Sequence, residues 1–207
     1  MTSHTRRILV VLGATGNQGG SVARAFLNDA ALASHWHVRD LGRILVGFYN
    51  SNILPDSYFG PSFNPTTGKT EFEGPVSDDN LVPFIDASSS TGNFVKALVL
   101  TESLGTILAA YDEMKSLKEC IELLRRKTGQ DFVFVQRTVD DMAAESPLGR
   151  EAPESWVWLA EYGLFGEKID GWKESLTLPA DLEEKMEAGK VNEWLSVQDW
   201  SKAFLPT

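Results

Sequence analysis

A single cysteine, Cys120, stands among the 207 residues. The chain therefore closes no internal disulfide, which suits a reducing compartment. Cys120 lies on an apolar helical stripe and reads as a small core residue rather than a redox thiol. Histidine is scarce as well. His35 and His37 share one face of a short stretch, but no third ligand accompanies them, so no metal centre is expected. No run is long and apolar enough to cross a membrane; the segment after Arg6 and Arg7 imitates a secretory signal only until it enters a glycine-rich turn. Basic charge is short too: 19 Lys/Arg stand against 29 Asp/Glu, a formal net charge of −10. Residues 1–100 carry 7 basic and 8 acidic side chains, residues 101–207 carry 12 and 21. That deficit argues against a basic face for nucleic acid, and the acidic half reads as solvated surface. A cytoplasmic protein is expected, with the nucleus as the alternative, and neither membrane nor direct nucleic-acid binding.

What is present fits a soluble globular chain of one domain, or a domain with a small appendage, at 43% hydrophobic and 23% charged residues. Residues 8–27, ILVVLGATGNQGGSVARAFL, carry the clearest chemistry. Ile8, Leu9, Val10, Val11 and Leu12 predict a strand covered on both faces, ending at Gly13. Gly13, Gly16 and Gly19 then give G-x-x-G-x-x-G, a spacing variant of the dinucleotide fingerprint. Gly13 permits the tight exit from the strand, Gly16 lets backbone approach a pyrophosphate, and Gly19 lets the next helix lie close on the sheet. Val22, Ala23, Phe26, Leu27 and Ala30 form that helix's apolar stripe. Its first turn would aim free N–H groups and the positive end of the dipole at an anion.

Residues 35–39 predict a second strand, followed by Asp40-Leu41-Gly42-Arg43. In a Rossmann unit an acid at this place selects a free ribose 2′-hydroxyl, whereas arginine accommodates a 2′-phosphate. Asp40 lies 21 residues after Gly19, but Arg39 and Arg43 flank it, which favours NADP, with NAD as the alternative.

VLGATGNQGGSVARAFL together with HVRDLGR resembles the opening of the NmrA-like family, a branch of the atypical short-chain dehydrogenase/reductase superfamily. Residues 47–52 (GFYNSN) are similar to its GFYxxN segment, and residues 82–86 and 91–95 (VPFID, TGNFV) to its VPxIDxxDTGxFV segment. The resemblance implies an α/β fold: a truncated Rossmann-like, NAD(P)-binding domain with a small α/β C-terminal region for substrate or partner. It implies a partial dinucleotide unit over residues 1–46 and a C-terminal region over 47–207, packed as one globular body. It also implies that Gly13, Thr15, Gly16, Asn17, Gln18, Gly19, Arg39 and Arg43 contact the dinucleotide.

The chain also departs from the family, in which roughly a hundred residues of middle strands and helices separate the VRxxTR and GFYxxN segments. Here only Ile44, Leu45 and Val46 lie between Arg43 and Gly47. A parallel crossover needs about a dozen residues or more. Residues 44–46 are therefore expected either to continue strand two or to return antiparallel after Leu41-Gly42, and a large internal deletion after residue 43 is inferred.

Residues 55–80, dense in Pro, Gly, Asn, Asp and Ser, predict a disordered loop with at most short strands. Thr91 is placed to cap a helix bearing Phe94, Val95, Leu98 and Val99, and residues 104–110 predict a strand. Ser116 and Glu119 form a capping box for a helix over 117–127 that Gly129 stops, and residues 132–135 predict a buried strand. Amphipathic helices are expected around residues 156–165 and 194–204, their aromatics serving as core or as a pocket wall.

Tyr111-x-x-x-Lys115 matches the tyrosine–lysine pair of short-chain dehydrogenases, in which lysine lowers the tyrosine pKa. It sits beside the capped helix, however, and the residues read instead as surface groups at a strand-to-helix junction. Tyr49 and Asn52 are further candidates for a rebuilt nicotinamide site. Three functions follow. The first is an NmrA-like redox sensor or regulator that binds dinucleotide and a protein partner. The second is an NADPH-dependent oxidoreductase of a small carbonyl, quinone or secondary metabolite, and the third a scaffold without cofactor.

Overall fold

The computed structural model describes residues 17–29, 43–103 and 105–204. The expected strands over 8–12 and 35–39, with Gly13, Thr15, Gly16, Arg39 and Asp40, lie outside the described residues. Helix α1 (Asn17–Leu27) buries Val22 and Phe26, two members of the predicted stripe. Among the described residues, nine short strands then form three small sheets: β1 (Arg43–Val46) with β6 (Ile107–Ala110) and β9 (Leu176–Thr177); β2 (Phe48–Tyr49) with β5 (Leu81–Ile85) and β7 (Glu113–Ser116); and β3 (Ser62–Asn64) with β4 (Lys69–Gly74) and β8 (Phe132–Gln136). Helices α2 (Thr91–Leu100), α3 (Leu117–Thr128), α4 (Val139–Glu145), α5 (Glu151–Tyr162) and α6 (Val191–Val197) complete the mixed α/β fold.

β1 pairs in parallel with β6, and β6 in parallel with β9. Residues 44–46 thus make no antiparallel pairing among the described residues. One residue, Gly47, carries the chain from β1 into β2, which pairs in parallel with β5 in another sheet. Gly47 donates its N–H to the Ala110 carbonyl at 2.9 Å. A Cβ on it would lie 2.4 Å from the Pro83 carbonyl oxygen, so only glycine lets this strand pass between its two backbone neighbours.

The largest correction concerns residues 55–80. They contain the β3–β4 hairpin, and β4 runs parallel to β8 as the centre of its sheet. Asn64 builds the turn by accepting the N–H groups of Thr66 and Thr67, and Gly68 closes it at φ 71°. Phe72 on β4 is fully buried and faces Phe132 of β8 with ring centroids 6.1 Å apart. Around this pair lie Phe84, Leu124, Trp156 and Trp200 in one apolar core, and Phe132 meets the edge of Trp200 at 6.2 Å.

Helix α3 follows its sequence signals. The Ser116 hydroxyl accepts the Glu119 N–H, the Glu119 carboxylate accepts the Ser116 N–H, and Gly129 ends the helix at φ 69°. Thr91 differs from expectation: it is the first residue of α2, and its hydroxyl donates to the Ala87 carbonyl instead of capping the helix. The expected C-terminal helices are shifted or divided: α5 runs earlier, from Glu151 to Tyr162, and the last stretch splits into α6 and a single 3-10 turn, Ser201–Phe204. Between β6 and β7, one carboxylate joins three segments. Asp112 accepts the Asp86 N–H at 2.8 Å, the Ser90 hydroxyl at 2.9 Å and the Gly189 N–H at 3.2 Å.

Candidate functional site

Helix α1 lies in close approach to α2. A Cβ on Gly92 would lie 2.2 Å from the Ser21 carbonyl oxygen, so the two helices meet where α2 has no side chain. The Gly92 N–H donates to the Ser21 hydroxyl at 2.8 Å, Arg24 donates to the Ser88 carbonyl at 2.7 Å, and Lys96 pairs with Asp29 at 2.7 Å.

This docking opens the first turn of α1 onto a cleft of about 880 Å³. Gln18, Gly19 and Val22 of α1 form one side, with Thr91 and Val95 of α2 beside them. β1 supplies Ile44, Leu45 and Val46. Trp158 of α5 and the segment after it, through Leu164, Phe165, Gly166, Ile169 and Trp172, complete the lining. Among the described residues, no Asp, Glu, Lys or Arg lines the cleft. The first turn of α1 carries no carboxylate either, and its leading N–H groups have no partner within the helix. An apolar cleft at a helix N-terminus can hold a molecule that joins an anionic group to apolar rings.

Of the residues expected to touch a dinucleotide, the structure brings Gln18 and Gly19 into this cleft, and Asn17 stands exposed at the helix start. Arg43 is the exposed first residue of β1 and lies outside the lining. Tyr49 packs against the apolar cluster around Ile85 and Phe94, and burial raises its hydroxyl pKa. Tyr111 stands behind the cleft wall, stacked on Phe165 with ring centroids 5.9 Å apart.

The tyrosine–lysine pair is not a pair of surface groups: Tyr111 is half-buried. Lys115 is buried, and its ammonium lies 3.4 Å from a Glu113 oxygen and 3.7 Å from a Glu119 oxygen. Burial, then the charges of Glu167 and Asp181, push the Tyr111 hydroxyl pKa upward. A proton-exchanging tyrosine needs the opposite shift. Cys120 is fully buried, and desolvation pushes its thiol up to about 12, so it stays protonated and inert.

Trp158 and Phe165 fall in the stretch whose aromatics were expected as core or pocket wall, whereas Ile169 and Trp172 of the same wall were not anticipated. Gly163, Gly166 and Gly171 all adopt positive φ, at 80°, 77° and 78°. Their spacing with Phe165 and Trp172 was the available signal for a tight loop that fixes aromatic rings.

The fold and the cleft define an α/β protein of Rossmann type. It is similar to crystal structures of NmrA, described as a negative transcriptional regulator. The monoclinic form shares 17% identity at a TM-score of 0.52, covering 75% of this chain and 51% of NmrA. Its NAD complex gives the same values, and its NADP complex 18% identity at 0.52, again covering 75% and 51%. The chain thus spans about half the length of these structures, and at such identities the likeness concerns the fold. No protein-family model and no curated protein sequence matches the chain. No helix among the described residues is long and apolar enough to cross a membrane.

Proposed function

We propose that the chain binds a pyridine dinucleotide in the cleft at α1 and works as a redox sensor or regulator, passing the bound state to a protein partner. The observation that carries this reading is the first turn of α1, with Gln18 and Gly19 facing the cleft and no carboxylate beside them. The backbone N–H groups of Asn17, Gln18 and Gly19 hold the pyrophosphate. Residues 1–46 act as the dinucleotide unit and 47–207 as the region that reads it. That NmrA was crystallised with NAD and with NADP supports the cofactor class. The preference for NADP rests on Arg39 and Arg43 in the sequence. Reductase chemistry has less support, because no tyrosine, lysine or carboxylate lines the cleft among the described residues and Lys115 is committed to two glutamates.

Calorimetric titration with NADP and NAD, on wild type and on Gln18→Glu, tests the reading. The new carboxylate favours the helix by about 0.3–1 kcal/mol through the dipole. The same charge repels a phosphate, so affinity falls by roughly tenfold or more. Opposite signs for stability and binding support the site. Equal affinity in the variant, or no saturable binding by folded wild type, overturns it and leaves the cofactor-free scaffold as the better account.

A further inference from the structure

We infer that the C-terminal wall of the cleft is a second binding element, built to stack a planar, apolar ring system on the indoles of Trp158 and Trp172. It rests on the cleft being a ligand site, but not on which dinucleotide enters it. Three large apolar side chains of this wall remain open to solvent: Trp158 at 51%, Trp172 at 38% and Ile169 at 36%. Exposed apolar side chains gathered at the mouth of one cleft mark a place where something binds.

The rings are held as well as exposed. Trp172 donates its indole N–H to the Phe165 carbonyl at 2.7 Å, which satisfies its only polar atom. Its ring packs on Gly166, where a Cβ would come within 2.8 Å of the indole Cδ1. Trp158 is braced by Tyr162, with ring centroids 4.4 Å apart. Ile44, Val46 and Val95 also line the cleft, so a guest meets apolar surface besides the indoles. Pre-positioned indole faces favour a flat ring over a puckered one of equal size, because offset stacking uses the ring quadrupole as well as the buried area.

The probe is 2-naphthol, compared with 2-decalol, its saturated and non-planar counterpart. Equilibrium dialysis is run without dinucleotide, on wild type, Trp158→Leu and Trp172→Leu. Wild type binds 2-naphthol saturably and 2-decalol roughly three- to tenfold more weakly, and each leucine variant loses 2-naphthol affinity by a similar factor. Equal binding of the two probes, no saturation, or unaltered 2-naphthol affinity in a folded Trp158→Leu protein overturns the inference. Trp158 keeps the test decisive if Trp172→Leu, which loses a loop hydrogen bond, fails to fold. Failure of NADP to bind, with this discrimination intact, removes the proposed cofactor and leaves the aromatic site.

Discussion

The two sides of the molecule are held together by different means. Around β4, β8 and α3, Phe72, Leu124 and Phe132 are fully buried, and rings meet at their edges in one continuous core. At the cleft, α1 meets α2 through a missing side chain at Gly92, the Ser21 hydroxyl, and two polar ties from Arg24 and Lys96. The first side is stabilised by volume and suffers when atoms are removed. The second depends on close fit and suffers when atoms are added.

The largest effect that separates them comes from Phe132→Ala. Removing this ring between Phe72, Trp200 and Phe204 costs about 3–5 kcal/mol in urea unfolding. Dinucleotide affinity of the fraction still folded stays at the wild-type value; a parallel loss of affinity would join the two sides into one unit.

Gly92→Ala comes next and acts in the other direction. Its methyl meets the Ser21 backbone, and overpacking of this kind costs about 1–3 kcal/mol. The shifted α1 also loses dinucleotide affinity, measured by the same titration. Lost stability with unchanged affinity would show that the position of α1 is not what shapes the site.

Ser116→Ala, on the core side, is the smallest and sharpens the contrast. It removes one capping bond and costs about 1 kcal/mol at neutral pH. The Ser116 N–H, then its hydroxyl, with Lys115 nearby, hold the Glu119 carboxyl below its ordinary value, against the opposing effect of partial burial. A lowered carboxyl stabilises the fold above its unfolded pKa, and that contribution fades as pH falls through the folded value. The gap between variant and wild type therefore narrows below the ordinary glutamate range near 4.5, as denaturation followed across acidic pH will show.

Legibility in the sequence followed the range of the interactions. The α3 capping box and its Gly129 stop act over three or four residues, and Ser116, Glu119 and Gly129 gave them away. The TGNFV helix and the Phe132 strand were equally plain from local pattern. β4 was hidden because Lys69-Thr-Glu-Phe-Glu-Gly offers a single large apolar residue, and its order comes from β8, some sixty residues later. Thr91 has the right chemistry for a cap, yet the carbonyl of Ala87 took its hydroxyl. Within the candidate site, Gln18 and Gly19 were legible from glycine spacing and Trp158 from its aromatic helix, whereas Trp172 depends on a bond back to Phe165 and on its packing over Gly166.

Asp112 has a consequence for how the chain folds. Its three donors lie 26, 22 and 77 residues away along the sequence. No local segment can satisfy it, and closing such loops is entropically expensive before the contacts exist to compensate. The carboxylate is fully occupied only once the β5 exit, the start of α2 and the approach to α6 have converged. Its full contribution arrives only with that convergence, and so belongs to the unfolding barrier more than to the speed of collapse.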